Sequence, residues 1–181
     1  MSALQTHLAA LIRQNGPMDV AAFMTLALGH YYSTRDPFGK DGDFTTAPEI
    51  SQMFGEMIGV FLADAWMKTG APKAFDLVEA GPGRGTLMAD ILRATAAVPG
   101  FHAAAHVHLI EMSPVLKETQ RQTLKDYRVE WHESFDALDD QSSRPLFFIA
   151  NEFLDALPIH QYVRQNGAWF ERVVGMENDA P

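Results

Sequence analysis

Three glycines at alternate positions, Gly81, Gly83 and Gly85, follow the acid Glu79 at the end of an apolar run in Leu77 to Leu87, LVEAGPGRGTL. Glycine tolerates positive φ and carries no Cβ, so such a stretch lets a ligand approach the backbone itself. A helical pattern follows, with Leu87, Met88, Ile91 and Leu92 on one face. The start of a helix offers unpaired N–H groups to polar or anionic atoms. Strand, glycine turn and helix together suit a nucleoside-like cofactor. A dinucleotide fingerprint reads G-x-G-x-x-G, whereas Thr86 stands here in place of its third glycine and the pattern is G-x-G-x-G. The spacing leans towards S-adenosylmethionine. It leaves open an oxidoreductase with a nicotinamide dinucleotide, and also a tight βα turn without a ligand.

A second group of chemically capable residues ends the run His106 to Met112, HVHLIEM, which reads as another buried strand closing on Glu111. In a doubly wound sheet that position lies beside the glycine turn of the first strand. A carboxylate there accepts both ribose hydroxyls of an adenosine through charge-assisted bonds and repels a ribose 2′-phosphate. The plainer alternative is an exposed acid at a strand end. A third group, Asn151, Glu152 and Asp155, follows the apolar run Leu146 to Asn151. These residues either face the reactive end of a cofactor or cap a turn in solvent. His106 and His108 share one strand face, but no acid or third ligand stands at a suitable spacing, so packing rather than a metal site is expected.

The elements that must position these groups alternate along the chain. Leu4 to Arg13 and Met18 to His30 are predicted helices, separated by the stop Asn15-Gly16-Pro17. The irregular loop Ser33 to Pro48 comes next, and Pro48 with Glu49 opens a third helix reaching about Lys68. Met18, Met24, Met53, Met57 and Met67 fall on these helices and read as core. Strands are expected at Phe75 to Ala80, His106 to Met112, Arg128 to His132 and Leu146 to Asn151, with Ser113 capping a helix from Pro114. Short connections and alternation imply an α/β fold with a parallel sheet ordered 3-2-1-4 and ligands at its carboxyl edge. Ile159 to Val174 breaks the pattern as a hairpin with Asn166-Gly167 at its tip.

Composition removes several function classes. The 181 residues carry a formal charge of −9 without a basic cluster, which argues against nucleic acid as a partner. There is no cysteine, so disulfides, thiolate zinc sites and a cysteine nucleophile are excluded, and the cytosol is the simplest placement. No apolar run approaches the length of a membrane span and the start lacks an export signal, so a cytoplasmic, membrane-free protein is expected.

Taken together, DFTTAPE at Asp43 to Glu49 with Phe54-Gly55, EAGPGRGT at Glu79 to Thr86, and NEFLDALP at Asn151 to Pro158 resemble the MidA-type S-adenosylmethionine-dependent methyltransferases. That family includes a mitochondrial complex I assembly factor. The resemblance runs from about Gly16 to Val174 and implies a Rossmann-like methyltransferase fold, with S-adenosylmethionine as cofactor. It also implies a protein arginine as acceptor, of the kind found in a respiratory complex I subunit. On this reading Glu79, Gly81, Gly83, Gly85, Glu111 and Met112 hold the cofactor. Ser134 and Phe135 lie beside its adenine, and Asn151 takes its methionine end. Thr45 and Thr46 sit on a covering loop, while Glu152 and Asp155 orient the acceptor guanidinium as catalytic residues. Residues 1–72 then form a helical segment with that loop, and 73–181 the N-terminal part of the methyltransferase domain. A full sheet of this family has seven strands, so the chain is expected to be truncated at its C-terminus. A small-molecule methyltransferase and a noncatalytic cofactor-binding assembly module remain as alternatives.

Overall fold

The computed structural model describes residues 2–34, 47–138 and 143–177. In chain order its elements are α1 (Ala3–Asn15), β1 (Met18–Asp19), α2 (Val20–Thr34), α3 (Ala47–Ile50), α4 (Gln52–Lys68), β2 (Phe75–Ala80) and α5 (Thr86–Thr95). They continue as α6 (Phe101–Ala104), β3 (Ala105–Ile110), α7 (Pro114–Thr123), β4 (Val129–His132), β5 (Leu146–Ile149), β6 (Tyr162–Gln165), β7 (Ala168–Glu171) and β8 (Val173–Val174). Two compact units result, one of Met1–Arg35 with Asp155–Pro181, the other of Asp36–Leu154.

The larger unit is built on a parallel four-stranded sheet in the order β4-β3-β2-β5. This is the 3-2-1-4 arrangement that the alternation of elements predicts. β2 is central and buried at every residue, as a strand covered on both faces must be. On one face, Phe75 and Leu77 of β2 and Val107 and Leu109 of β3 pack against α4 and α5. Trp66, Phe101 and Phe147 close around Phe75, with ring centroids 5.0–6.3 Å apart in tilted and edge-on contacts. Helices α4 and α5 approach closely because α4 presents Gly55, where a Cβ would meet that of Asp90 at 2.5 Å.

The helix predicted from Pro48 to Lys68 is two elements. Ser51 adopts φ −144° and ψ 115°, which leaves α3 as a single turn before α4. Met53 and Met57 are each 64% exposed and Met67 52%, so these three residues lie outside the core where helical periodicity placed them. An apolar groove of about 470 Å³ runs along α4, lined by Met53, Phe54, Met57 and Phe61 among others.

In the smaller unit, Ser2 and Gln5 form a reciprocal cap at the start of α1. Asp19 caps α2 by accepting the Ala22 N–H at 2.7 Å. β6 and β7 form the predicted hairpin, with Asn166 at φ 48° and Gly167 at φ 83°, the two positive values a type I′ turn demands. β8 pairs antiparallel with β1, a contact between the two ends of the chain that no local pattern announces.

Candidate functional site

Chain reversal at the carboxyl end of β2 rests on the three glycines, which take φ values of 64°, 55° and 83° at Gly81, Gly83 and Gly85. Each lies in the left-handed region, where other residues are strained. Gly81 has a further reason to be glycine, since a Cβ there would meet Cδ2 of Phe153 at 2.4 Å. At this position the missing side chain makes room for the protein's own aromatic ring rather than for a ligand. The contact also brings the segment after β5, which carries Asn151 and Glu152, back onto the glycine turn. Gly85 is the N-cap of α5, and the Thr86 hydroxyl donates to Glu49 Oε1 at 2.7 Å, tying α3 to that helix start.

The turn and Glu111 adjoin. Gly81 N–H donates to the Ile110 carbonyl at 3.1 Å, which continues the β2–β3 ladder one residue past the strands. Gln120 then bridges the two elements: its side-chain amide donates to the Gly83 carbonyl at 2.7 Å and to Glu111 Oε2 at 3.2 Å. Its own oxygen accepts from Trp131 Nε1 at 3.0 Å, so a fully buried glutamine meets partners on three elements. Sequence reasoning missed Gln120. The available signal was an amide at the middle of the apolar series Leu116, Gln120, Leu124, where the core-facing side of α7 otherwise carries leucine.

Glu111 is half-buried, and its Oε1 accepts the Ser113 N–H at 2.8 Å. Burial raises its pKa above the ordinary carboxylate value, opposed by hydrogen bonds from Ser113, Gln120 and Met112 and by the charge of Lys117. Glu79 is more strongly displaced. Its carboxyl is 2% exposed, and burial pushes its pKa up to about 8. Its Oε2 has no hydrogen-bond partner among the described residues. A buried, unpartnered carboxyl beside a glycine turn fits a ligand that brings a donor or a cation to it.

The other predicted site residues fall as follows. Met112 is 79% exposed at the rim, next to Glu111. Ser134 is exposed, and the Phe135 ring packs edge-on against Phe148 of β5 with centroids 5.2 Å apart. Asn151 is half-buried, while Glu152 is exposed and holds φ 49°, a strained value for a non-glycine residue. Asp155 is exposed and opens the segment that belongs to the smaller unit. Thr45 and Thr46 lie outside the described residues.

Residues 57–181 match the sequence signature of a family described as S-adenosyl-L-methionine-dependent methyltransferases. The chain is 36% identical over 199 residues to "Protein arginine methyltransferase NDUFAF7, mitochondrial" of Danio rerio, covering 97% of this chain and 47% of that protein. It is likewise 36% identical to the Homo sapiens protein of the same name, with 94% and 44% covered. A Burkholderia thailandensis protein crystallised with S-adenosyl-homocysteine superposes with a TM-score of 0.80 at 29% identity, over 97% of this chain and 47% of that one. The chain thus spans about half the length of the curated relatives it matches. The mitochondrial location in these relatives' names overturns the expected cytoplasmic placement. That expectation rested on the absence of cysteine and on a start without the look of a signal or transit peptide, and cysteine content does not distinguish one reducing compartment from another.

Proposed function

Because this chain belongs to that family of S-adenosyl-L-methionine-dependent methyltransferases, we propose that it carries the cofactor site of a methyltransferase acting on a protein arginine. One observation carries the reading: Gln120 bolts the glycine turn to Glu111, with Glu79 buried beside them and its Oε2 without a partner among the described residues. The bound cofactor supplies an electrophilic methyl group on a sulfonium, so the protein's tasks are alignment and removal of a proton from the acceptor.

The residues fit those tasks. Glu111 retains acceptor capacity beyond its bonds to Ser113 and Gln120, and a carboxylate held rigidly at that edge suits a pair of ribose hydroxyls. Glu79 offers a carboxyl to the ammonium of the cofactor's methionine part, and Asn151 its amide to the same end. Gly83, Gly85 and Met112 present backbone at the rim, and Ser134 and Phe135 flank the adenine. Glu152, and Asp155 three residues on, provide negative charge to hold an acceptor guanidinium, which remains cationic at neutral pH. The arginine acceptor is supported by what the relatives' names say of those proteins.

The test is methyl transfer from isotopically labelled S-adenosylmethionine into a lysate, read by mass spectrometry. Label on an arginine of a protein supports the reading. Label only in metabolites replaces it with a small-molecule methyltransferase. Cofactor binding without any incorporation reduces the chain to a binding module.

A further inference from the structure

The sheet face opposite α4 and α5 carries a polar cluster that the cofactor site does not use. Side chains alternate along a strand, so Asp76 of β2, His108 of β3, and Glu130 and His132 of β4 all project to that face. His108 Nδ1 stands 3.0 Å from His132 Nε2 and 3.9 Å from Glu130 Oε2. Ligand atoms of these three residues all lie within 4.8 Å of one another. Behind the cluster, His108 Nε2 is 3.2 Å from Asp76 Oδ1, and Arg144 grips that carboxylate at 2.9 and 3.1 Å.

Tautomers decide what the short contact between the two rings means. An ionised carboxylate only accepts, so His108 Nε2 carries the hydrogen and donates it to Asp76, which leaves Nδ1 facing His132 and Glu130. His132 turns its Nε2 to that nitrogen, and in the tautomer protonated at Nδ1 it too presents a lone pair there. When both rings are neutral and turn lone pairs to this point, two nitrogens and a carboxylate oxygen converge there, a donor set that suits a metal cation. Two nitrogens bound tetrahedrally to zinc at the usual bond length are about 3.3 Å apart, close to the spacing found here. The Asp76–His108 pair has the form of the carboxylate that orients a metal-bound imidazole from behind.

We propose that His108, His132 and Glu130 form a zinc(II) site on this face of the sheet, with water in the fourth position. Two neutral imidazoles and one carboxylate leave the ion partly uncompensated, and the Asp76 charge is already balanced by Arg144. Arg128 approaches the other Glu130 oxygen at 3.9 Å, which leaves Oε2 for the metal.

The experiment takes the untagged 181-residue chain, strips it with a chelator and titrates it with zinc chloride by calorimetry. Cobalt(II) serves as a spectroscopic substitute. The expected result is one saturable zinc per chain and the ligand-field absorption of a low-coordinate cobalt site. His132→Ala should weaken zinc binding by at least about 100-fold, the upper end of what loss of a mere outer-shell partner costs. Glu130→Gln, on the half-exposed edge strand, provides a second variant should the first fold poorly, with a loss of at least about tenfold. No saturable zinc binding by the chelator-treated chain, or unchanged affinity in a folded variant, overturns the proposal.

Discussion

Glu79 should release a proton when the cofactor binds. Its carboxyl is pushed up to about 8 by burial, so at pH 7 about nine-tenths of the free protein holds it neutral. A cationic ammonium placed against it draws the carboxylate form, and about 0.9 proton per cofactor leaves the protein at pH 7. Calorimetric titration with S-adenosylmethionine in buffers of different ionisation enthalpy measures this number directly. The release should fall towards zero near pH 9, where Glu79 is already ionised, and should drop sharply in Glu79→Gln. The same displacement affects the free protein's stability. A carboxyl with a raised folded pKa favours the folded state below its ordinary value of 4.5, and this advantage is lost as pH rises from 4.5 to about 8. That interval corresponds to a loss on the order of 5 kcal/mol, so Glu79→Gln should flatten the decline of Tm over that range. An enthalpy independent of buffer at pH 7, with cofactor bound, would refute the reasoning.

Glu111→Ala should weaken S-adenosylmethionine about 10- to 100-fold through loss of charge-assisted bonds, while the chain still melts cooperatively; unchanged affinity in calorimetry would remove the ribose assignment. Gln120→Leu leaves the Gly83 carbonyl and the Trp131 N–H without their present partner and should cost roughly 1–3 kcal/mol in denaturant unfolding, with weaker cofactor binding. Gly81→Ala forces a Cβ onto the Phe153 ring at a positive φ, for a cost of about 2–4 kcal/mol. Phe153→Ala in the same chain should recover the steric part of that cost in the same unfolding experiment.

The sheet and its order were legible because the strands are short, apolar and separated by helical patterns, and a parallel sheet with right-handed crossovers leaves few arrangements. The glycine turn and Glu111 were legible because each sits where a strand's apolar run stops. What sequence periodicity could not show depends on partners distant in the chain. Gln120 reads as an interruption of an apolar face until Gly83, Glu111 and Trp131 surround it. His108 appears isolated from acids along its own strand, yet Asp76 and Glu130 reach it from the strands on either side. Strand β1 exists through pairing with β8 alone, and the break at Ser51 interrupts a helical pattern that continues through it. The exposed methionines of α4 show that periodicity identifies an apolar face without showing whether anything packs on it.

The central claim is that the glycine turn, Glu79 and Glu111 hold the cofactor together. It is tested most directly by backbone NMR of the isotopically labelled chain titrated with S-adenosyl-homocysteine. The account predicts saturable shifts concentrated at Gly81 to Thr86, at Glu111 to Ser113 and at Asn151. Saturable binding whose shifts fall elsewhere, with Gly83 and Glu111 unperturbed, would contradict it.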